Sequence, residues 1–323
     1  QAEKYTREEA ETDPEFGERP EERSIEQLME KGVVLIDKPF GPQSKQVSTW
    51  VKEELDLHKT GHFGTLDPNA TGVLPIGIGK GTRLNNVMAG ADKEYVFEAF
   101  LHEQRDREKI KGELEKFRGT NKQVPPNKSA VKREEREREV YEIELLEVQE
   151  KKVLGRVLCE SGFYVRTLIE QLGEKLDTEA EMEELRRTRQ GSITEEDCVK
   201  LQDVVDEYRF YRESEEHRFD EVLQPVERCL GHLRKIAIKD SAVNAVANGA
   251  DLGAGGISKL QDGIKKEETV AITTLKGELV AIAETRMSSE EMYDSDGTAA
   301  VLESVHMDPE TYPKRWKQDG GNS

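Results

Sequence analysis

Gly61-His62-Phe63-Gly64-Thr65-Leu66-Asp67-Pro68-Asn69-Ala70-Thr71-Gly72-Val73-Leu74-Pro75 encloses a single acid in a run of glycines and prolines. Pro68 has no backbone N–H and disfavours helical geometry in the residue before it. Asp67 is therefore expected on a stiff, extended turn. Taken alone, an aspartate before proline is most simply a turn residue, stabilised by its own side chain. Held on a stiff loop, it can equally present a carboxylate to a substrate.

Working outward, Val33 to Ile36 reads as a short buried strand, followed by a Pro39-Phe40-Gly41-Pro42 turn. Ser44 is expected to cap a helix whose apolar side carries Val47, Trp50, Val51 and Leu55. Tyr95 to Leu101 and Val140 to Val148 alternate as strands do, with Val153 to Cys159 as a partner. A helix is expected near Asp106 to Phe117, and another where Val165, Leu168, Ile169 and Leu172 repeat after Gly162. After Gln224-Pro225 the texture changes to short apolar runs separated by glycine-rich turns, the pattern of a small β-rich domain.

Composition narrows the class. Of the 323 residues, 35% are hydrophobic and 36% charged, and no apolar run is long enough to cross a bilayer. An intracellular, cytoplasmic protein is expected, with no membrane partner. Cys159, Cys198 and Cys229 fit no metal-ligand spacing and read as idle thiols. His58 and His62 are four apart, but Gly61 disfavours a helix there and no third ligand is near, so no metal site is expected. Gly77-Ile78-Gly79-Lys80-Gly81-Thr82 lacks the glycine spacing of a phosphate-binding loop or a dinucleotide fingerprint. The net charge of −19 argues against nucleic-acid binding taken as a sum, yet bases cluster at Lys128, Lys132, Arg133, Arg136 and Arg138 and at Arg186, Arg187 and Arg189. An acidic exterior also suits a salty cytoplasm, where lysine would be scarcer than it is here.

The run from Gly61 to Pro75 closely resembles the signature of the TruB-like pseudouridine synthases. Its surroundings resemble the archaeal and eukaryotic dyskerin-like branch, the catalytic subunit of box H/ACA ribonucleoproteins. The resemblance implies an α+β fold: a mixed, largely antiparallel sheet with flanking helices, followed by a PUA domain. It implies an N-terminal extension over 1–30, a catalytic domain over 31–229, a PUA domain over 230–316 and a tail over 317–323. Composition alone would make residues 1 to 30 a disordered tail. The stretch from Asp13 to Arg23 instead resembles the family's extension, which packs on the C-terminal domain. Lys239-Asp240-Ser241-Ala242-Val243, Asn248-Gly249-Ala250-Asp251-Leu252 and Gly255-Gly256-Ile257 carry the likeness to the PUA domain.

By the same resemblance Asp67 is the catalytic nucleophile, and Arg166, in Tyr164-Val165-Arg166, pairs with it and holds it ionised as the site dries. Without the resemblance Arg166 is an exposed residue near a helix start and Tyr164 a core tyrosine. Tyr95, in Lys93-Glu94-Tyr95, corresponds to a ring that stacks on the flipped uracil while its hydroxyl assists proton removal; periodicity makes it the first residue of a strand. His62 corresponds to a histidine near the target nucleotide, where a side chain filling the space left by an extracted base is useful. Lys38-Pro39 resembles the motif that buttresses the loop. Leu185-Arg186-Arg187-Thr188-Arg189 resembles one whose leucine lines the uracil pocket and whose arginines meet RNA phosphates, although such a tract on a helix end is also ordinary solvated surface.

Pro125 to Arg133, with Lys132 and Arg133, resembles the thumb loop of the dyskerin-like branch, and Tyr312-Pro313-Lys314-Arg315-Trp316 supports that branch. Gln43 and Lys45 depart from the usual Thr and His, Phe63 is bulkier than usual, and Glu181 replaces a His before Met182. Isomerising uridine changes no oxidation state and needs no group donor, so no cofactor is implied. The implied partners are a guide RNA whose ACA end is bound by the PUA domain, substrate rRNA and possible tRNA targets, a zinc-ribbon-like protein, a Gly/Arg-associated thumb regulator and a kink-turn-binding protein. The length and the lack of Lys-rich tails point to an archaeal form. The rival readings are a standalone tRNA T-loop enzyme and a non-catalytic RNA-binding scaffold.

Overall fold

The computed structural model describes residues 4–124, 134–214 and 216–314. Two compact units emerge, Met29–Gln224 and the pair of segments Gln1–Leu28 with Pro225–Ser323. The fold is α+β, as expected.

The larger unit is built on a ten-stranded mixed sheet among the described residues. Its central run is Lys31–Lys38, Ala70–Gly79, Ala180–Gln190, Lys93–Leu101, Lys152–Cys159, Arg136–Gln149 and Gly119–Gln123. Neighbours in this run are antiparallel except Ala70–Gly79 and Ala180–Gln190, which are parallel with Gly72 opposite Arg187. Strand Lys93–Leu101 alternates buried and half-buried residues without a break, so the period read from the sequence is the period of its two faces. Helix Arg107–Glu115 starts at Asp106, whose side chain accepts the Glu108 N–H, a standard N-cap. Helix Val165–Lys175 buries Val165, Leu168, Ile169 and Leu172, the expected stripe.

Three expectations are corrected. Helix Ser44–Glu54 forms and buries Val47 and Val51, but Gln43 occupies the cap position and Ser44 does not cap. Trp50 stands outside the buried stripe, 36% exposed. The tract Leu185 to Arg189 lies in strand Ala180–Gln190 rather than on a helix end, because it pairs on both sides within the sheet.

The smaller unit is a seven-stranded sheet among the described residues, ordered Lys4–Thr6, Ile257–Gln261, Arg234–Ile238, Thr269–Thr273, Leu279–Thr285, Thr298–Val305, Leu252–Gly253. Helix Asp240–Ala247 supplies Val243, Val246 and Ala247 to its apolar core. The polar N-terminal segment is held by directed bonds: Asp13 N–H and the Thr12 hydroxyl donate to Asp240, and Lys276 Nζ donates to the carbonyls of Asp13, Phe16 and Gly17. No helix among the described residues is long and apolar enough to cross a membrane.

Candidate active site

Asp67 stands at the tip of the loop joining the short strand Thr60–His62 to Ala70–Gly79. Phe63, Leu66 and Ala70 are buried within the loop, while Thr65, Asp67, Pro68 and Asn69 face outward. A turn closed by Ala70 N–H donating to Asp67 O, 2.9 Å, gives the tip its shape. Most of the loop's inward backbone groups are taken up by buried side chains from elsewhere in the unit.

Four such anchors converge. Lys38, fully buried, donates from Nζ to Pro39 O at 2.8 Å and Pro68 O at 3.2 Å, and Gly41 N–H also donates to Pro68 O at 2.8 Å. Ser44 Oγ accepts the Leu66 N–H at 2.8 Å and donates to Leu66 O at 2.9 Å. Arg187, fully buried, donates from Nε to Val73 O at 2.8 Å and from Nη2 to Gly64 O at 3.0 Å. Gln190 Nε2 donates to Phe63 O and to Met88 O, both at 2.7 Å. Buried backbone groups left without partners are costly, so these bonds hold the loop in one conformation.

Backbone packing adds to the constraint. Gly72 has φ +104°, and a Cβ there would lie 2.1 Å from Arg187 O. The bulky Phe63 is accommodated in full burial because Gly77 leaves room for its ring, a Cβ at Gly77 falling 2.6 Å from Phe63 Cζ.

Arg166 approaches Asp67 from helix Val165–Lys175, Nη2 to Oδ2 at 3.8 Å, with side chains 47% and 65% exposed. This is a loose pair in an open site, worth about 0–1 kcal/mol while water surrounds it. Lys38 is pushed below the ordinary lysine value by burial, with the Asp67 charge opposing that shift. His62 is likewise lowered by burial and then by the Arg187 charge, and its buried Nδ1 has no hydrogen-bond partner among the described residues. It therefore favours the neutral imidazole. A cavity of about 490 Å³ runs along this side, lined by Gly61, His62, Gly64, Thr65, Asn85 and Ala89.

Tyr95 and Arg187 are directly opposed across two strands. Burial raises the Tyr95 phenol above its ordinary value, and the adjacent guanidinium opposes that shift. The contact is electrostatic more than a formed hydrogen bond, since Arg187 Nη1 has no partner of good geometry among the described residues. A bulge between Glu94 and Tyr95 brings Leu185, Arg187 and Gln190 opposite Phe97, Tyr95 and Lys93, hence onto one face. Lys93, on that face, donates to Ala89 O and Ala91 O, and burial lowers it to about 8.

Loop, Tyr95, Tyr164, Arg166, His62 and Leu185 thus belong to one unit, but the basic residues have other occupations. Arg187 is enclosed and spent on carbonyls, so it supports the loop and is unavailable to an RNA phosphate. Arg186 is held by Asp37 at 3.0 and 3.1 Å and by Glu195 at 2.6 Å, which neutralise it. Lys38 is a buttress with no surface to offer RNA. Lys132 and Arg133, like Arg315 and Trp316, lie outside the described residues. Ser44 and Gln190 were not legible as loop anchors: a serine before a helix signals a cap, and alternation places Gln190 opposite to Arg187 unless the bulge is known.

Comparison with known proteins places these features. Residues 52–165 match the TruB family pseudouridylate synthase N-terminal domain, and 166–231 the tRNA pseudouridylate synthase B C-terminal domain. Residues 234–302 match the PUA domain and 1–48 the DKCLD (NUC011) domain. The "Probable tRNA pseudouridine synthase B" of Methanocaldococcus jannaschii is 47% identical over 314 residues, 97% of this chain and 94% of that protein. Its namesake from Pyrococcus furiosus is 46% identical, covering 96% of this chain and 92% of its own length. A chain in the "Crystal Structure of a Cbf5-Nop10-Gar1 Complex" is 46% identical, covers 97% of both chains and superposes with a TM-score of 0.92. A chain in the "Structure of H/ACA RNP bound to a substrate RNA containing 2'-deoxyuridine" is 43% identical over 98% of both, with a TM-score of 0.90. From end to end, the chain belongs to the TruB family of pseudouridine synthases, in the branch that carries DKCLD and PUA domains.

Proposed function

We propose that the chain isomerises uridine to pseudouridine in RNA as the catalytic subunit of a box H/ACA ribonucleoprotein, choosing its target through a guide RNA. One observation carries the chemistry: an outward-facing carboxylate on a loop tied down by four buried side chains, with Arg166 3.8 Å away. Preorganisation of this kind keeps a reacting group in place before substrate arrives.

In the reaction the bond from uracil N1 to ribose C1′ breaks, the base turns over, and C5 bonds to C1′. The C5 proton leaves and N1 gains one, so atoms balance without a cofactor. Asp67 supplies the negative charge at C1′. Arg166 tightens on Asp67 as RNA excludes water and the local dielectric falls. Tyr95 and Leu185 bound the loose base, and the fixed charge of Arg187 lowers the cost of the phenolate that Tyr95 needs to accept the C5 proton. Tyr164 and His62 complete the walls, the neutral imidazole filling space beside the extracted base.

Guide dependence rests on the family branch and on charge. The net charge of −19 works against a long phosphate track, and Arg186 and Arg187 are already engaged within the protein. Guide pairing, shape and stacking then supply recognition, and the PUA domain reads the single-stranded ACA end. The structurally similar complexes contain Nop10, Gar1 and substrate RNA, and we assign this chain partners of those kinds together with a kink-turn-binding protein, in the cytoplasm with the RNAs it modifies. The test is tritium release from [5-³H]uridine RNA by the assembled particle. Release from a guide-matched target only when guide is present supports the proposal. Equal release from a tRNA transcript by the protein alone supports a standalone enzyme.

A further inference from the structure

We propose that Gln123 is a positioning residue that sets the reach of Arg166 to Asp67 by holding the backbone N–H and carbonyl of Tyr164. Gln123 ends strand Gly119–Gln123 and is 2% exposed. Its carboxamide bonds to both backbone polar groups of one residue: Oε1 accepts the Tyr164 N–H at 2.9 Å, and Nε2 donates to Tyr164 O at 3.0 Å. Only this orientation of the amide satisfies both atoms. Tyr164 is the N-cap of helix Val165–Lys175, and its carbonyl already accepts the Leu168 N–H that begins the helical ladder. Arg166 is the second residue of that helix. The side chain of Gln123 therefore fixes the helical start from which Arg166 extends.

A second bond runs between the same two elements, from Gln171 Nε2 to Lys122 O at 3.2 Å. It lies further along the helix and does not touch the helical start. Removing either contact loosens helix from strand, but of the two it is the Gln123 bonds that reach Tyr164, the residue from which the helix of Arg166 starts. Gln171 is thus a built-in control for ordinary structural support.

The inference rests on the proposed uridine isomerisation, and its test uses the particle assembled with guide RNA and a matched [5-³H]uridine target under single-turnover conditions. Gln123→Leu, close in shape but without the amide, is expected to slow tritium release by roughly 10²-fold, the scale on which small misplacements act. Guide and substrate affinity should be unchanged, and Gln171→Leu should react at the wild-type rate. Gln123→Glu adds a pH signature. Its ionised carboxylate faces Tyr164 O with no hydrogen to donate, whereas its protonated form restores both bonds. Burial and the facing carbonyl raise the pKa of such a carboxyl. The rate of Gln123→Glu relative to wild type should therefore rise as pH falls from about 8 to about 6.

A wild-type rate in Gln123→Leu overturns the inference, as do equal losses in Gln123→Leu and Gln171→Leu. If Gln123→Leu fails to fold, the relative rate of Gln123→Glu decides, a rise supporting the inference and a flat ratio refuting it. A wild-type particle that releases no tritium refutes the proposed function, and the positioning role falls with it; an active wild type with unaffected variants removes the positioning role alone.

Discussion

Replacing Ser44 by alanine separates a helix cap from an active-site anchor. If Ser44 merely capped helix Ser44–Glu54, the change would cost about 1 kcal/mol and leave chemistry alone. The structure gives it another task. Ser44 is 1% exposed, and its hydroxyl satisfies both the N–H and the carbonyl of Leu66, the residue before Asp67. Alanine leaves both groups without that partner, each at about 1–3 kcal/mol when no water replaces it. Partial relaxation of the loop should reduce the total to roughly 2–4 kcal/mol. That relaxation displaces Asp67, and loss of near-attack geometry should slow single-turnover isomerisation by on the order of 10²-fold. Denaturant unfolding at neutral pH and tritium release from a guide-matched target measure the two effects. A variant about 1 kcal/mol less stable that reacts at the wild-type rate would refute the anchoring argument and restore the cap.

Gly72→Ala should be worse. The φ of +104° costs about 1–3 kcal/mol for a residue with a side chain. The overlap with Arg187 O adds to this, so reduced yield or a large fall in melting temperature is expected, and a normally stable variant would show that the strand yields. Arg166→Lys should leave thermal stability unchanged, because the pair is loose and exposed in the free protein, yet impair turnover severely once the site closes. Unaltered single-turnover rates would place Arg166 outside the chemistry. In the smaller unit, Arg23 grips Glu227 with bonds of 2.8 and 2.9 Å, both side chains being about nine-tenths buried. Burial tends to raise the Glu227 carboxyl, but Arg23 and the Leu279 N–H overcome this and hold it below its ordinary 4.5. A depressed folded value means the stabilisation is complete above pH 4.5 and disappears as pH falls through the folded value. Arg23→Ala should thus cost roughly 3–5 kcal/mol at neutral pH. The stability gap between wild type and Glu227→Gln should shrink on acidification below about pH 4.5, and a gap independent of pH would contradict the pairing.

Which features could be read in advance follows from how local their causes are. The strand from Lys93 and the helix from Val165 show their burial period directly in the order of apolar residues. Asp106 announces its helix by capping it. Strand Ala180–Gln190 hid because charged residues occupy both of its faces and a bulge breaks its alternation. Gly119–Gln123 has no apolar period at all, its only buried residue being a glutamine. Asp67, Tyr95 and Arg166 could be proposed as site residues from their surrounding motifs. Among the anchors that hold Asp67, Lys38 was announced by a buttressing motif, whereas Ser44, Arg187 and Gln190 were not, since they act on backbone groups distant in sequence. A basic tract looks the same in sequence whether its guanidinium groups meet phosphate or, as for Arg187, the protein's own backbone. The ordering of the N-terminal segment by Asp240 and Lys276 likewise follows from tertiary hydrogen bonds that composition does not encode.

The central claim is that Asp67 performs guide-directed uridine isomerisation from a loop already formed in the free protein. It is tested most directly by single-turnover tritium release from a guide-matched [5-³H]uridine target, comparing wild type with Asp67→Asn in the assembled particle. The amide keeps the shape of the side chain and removes its charge, so the variant should bind guide and target with wild-type affinity and release no tritium above background. Wild-type release by Asp67→Asn, with deamidation excluded by mass spectrometry, would contradict the claim.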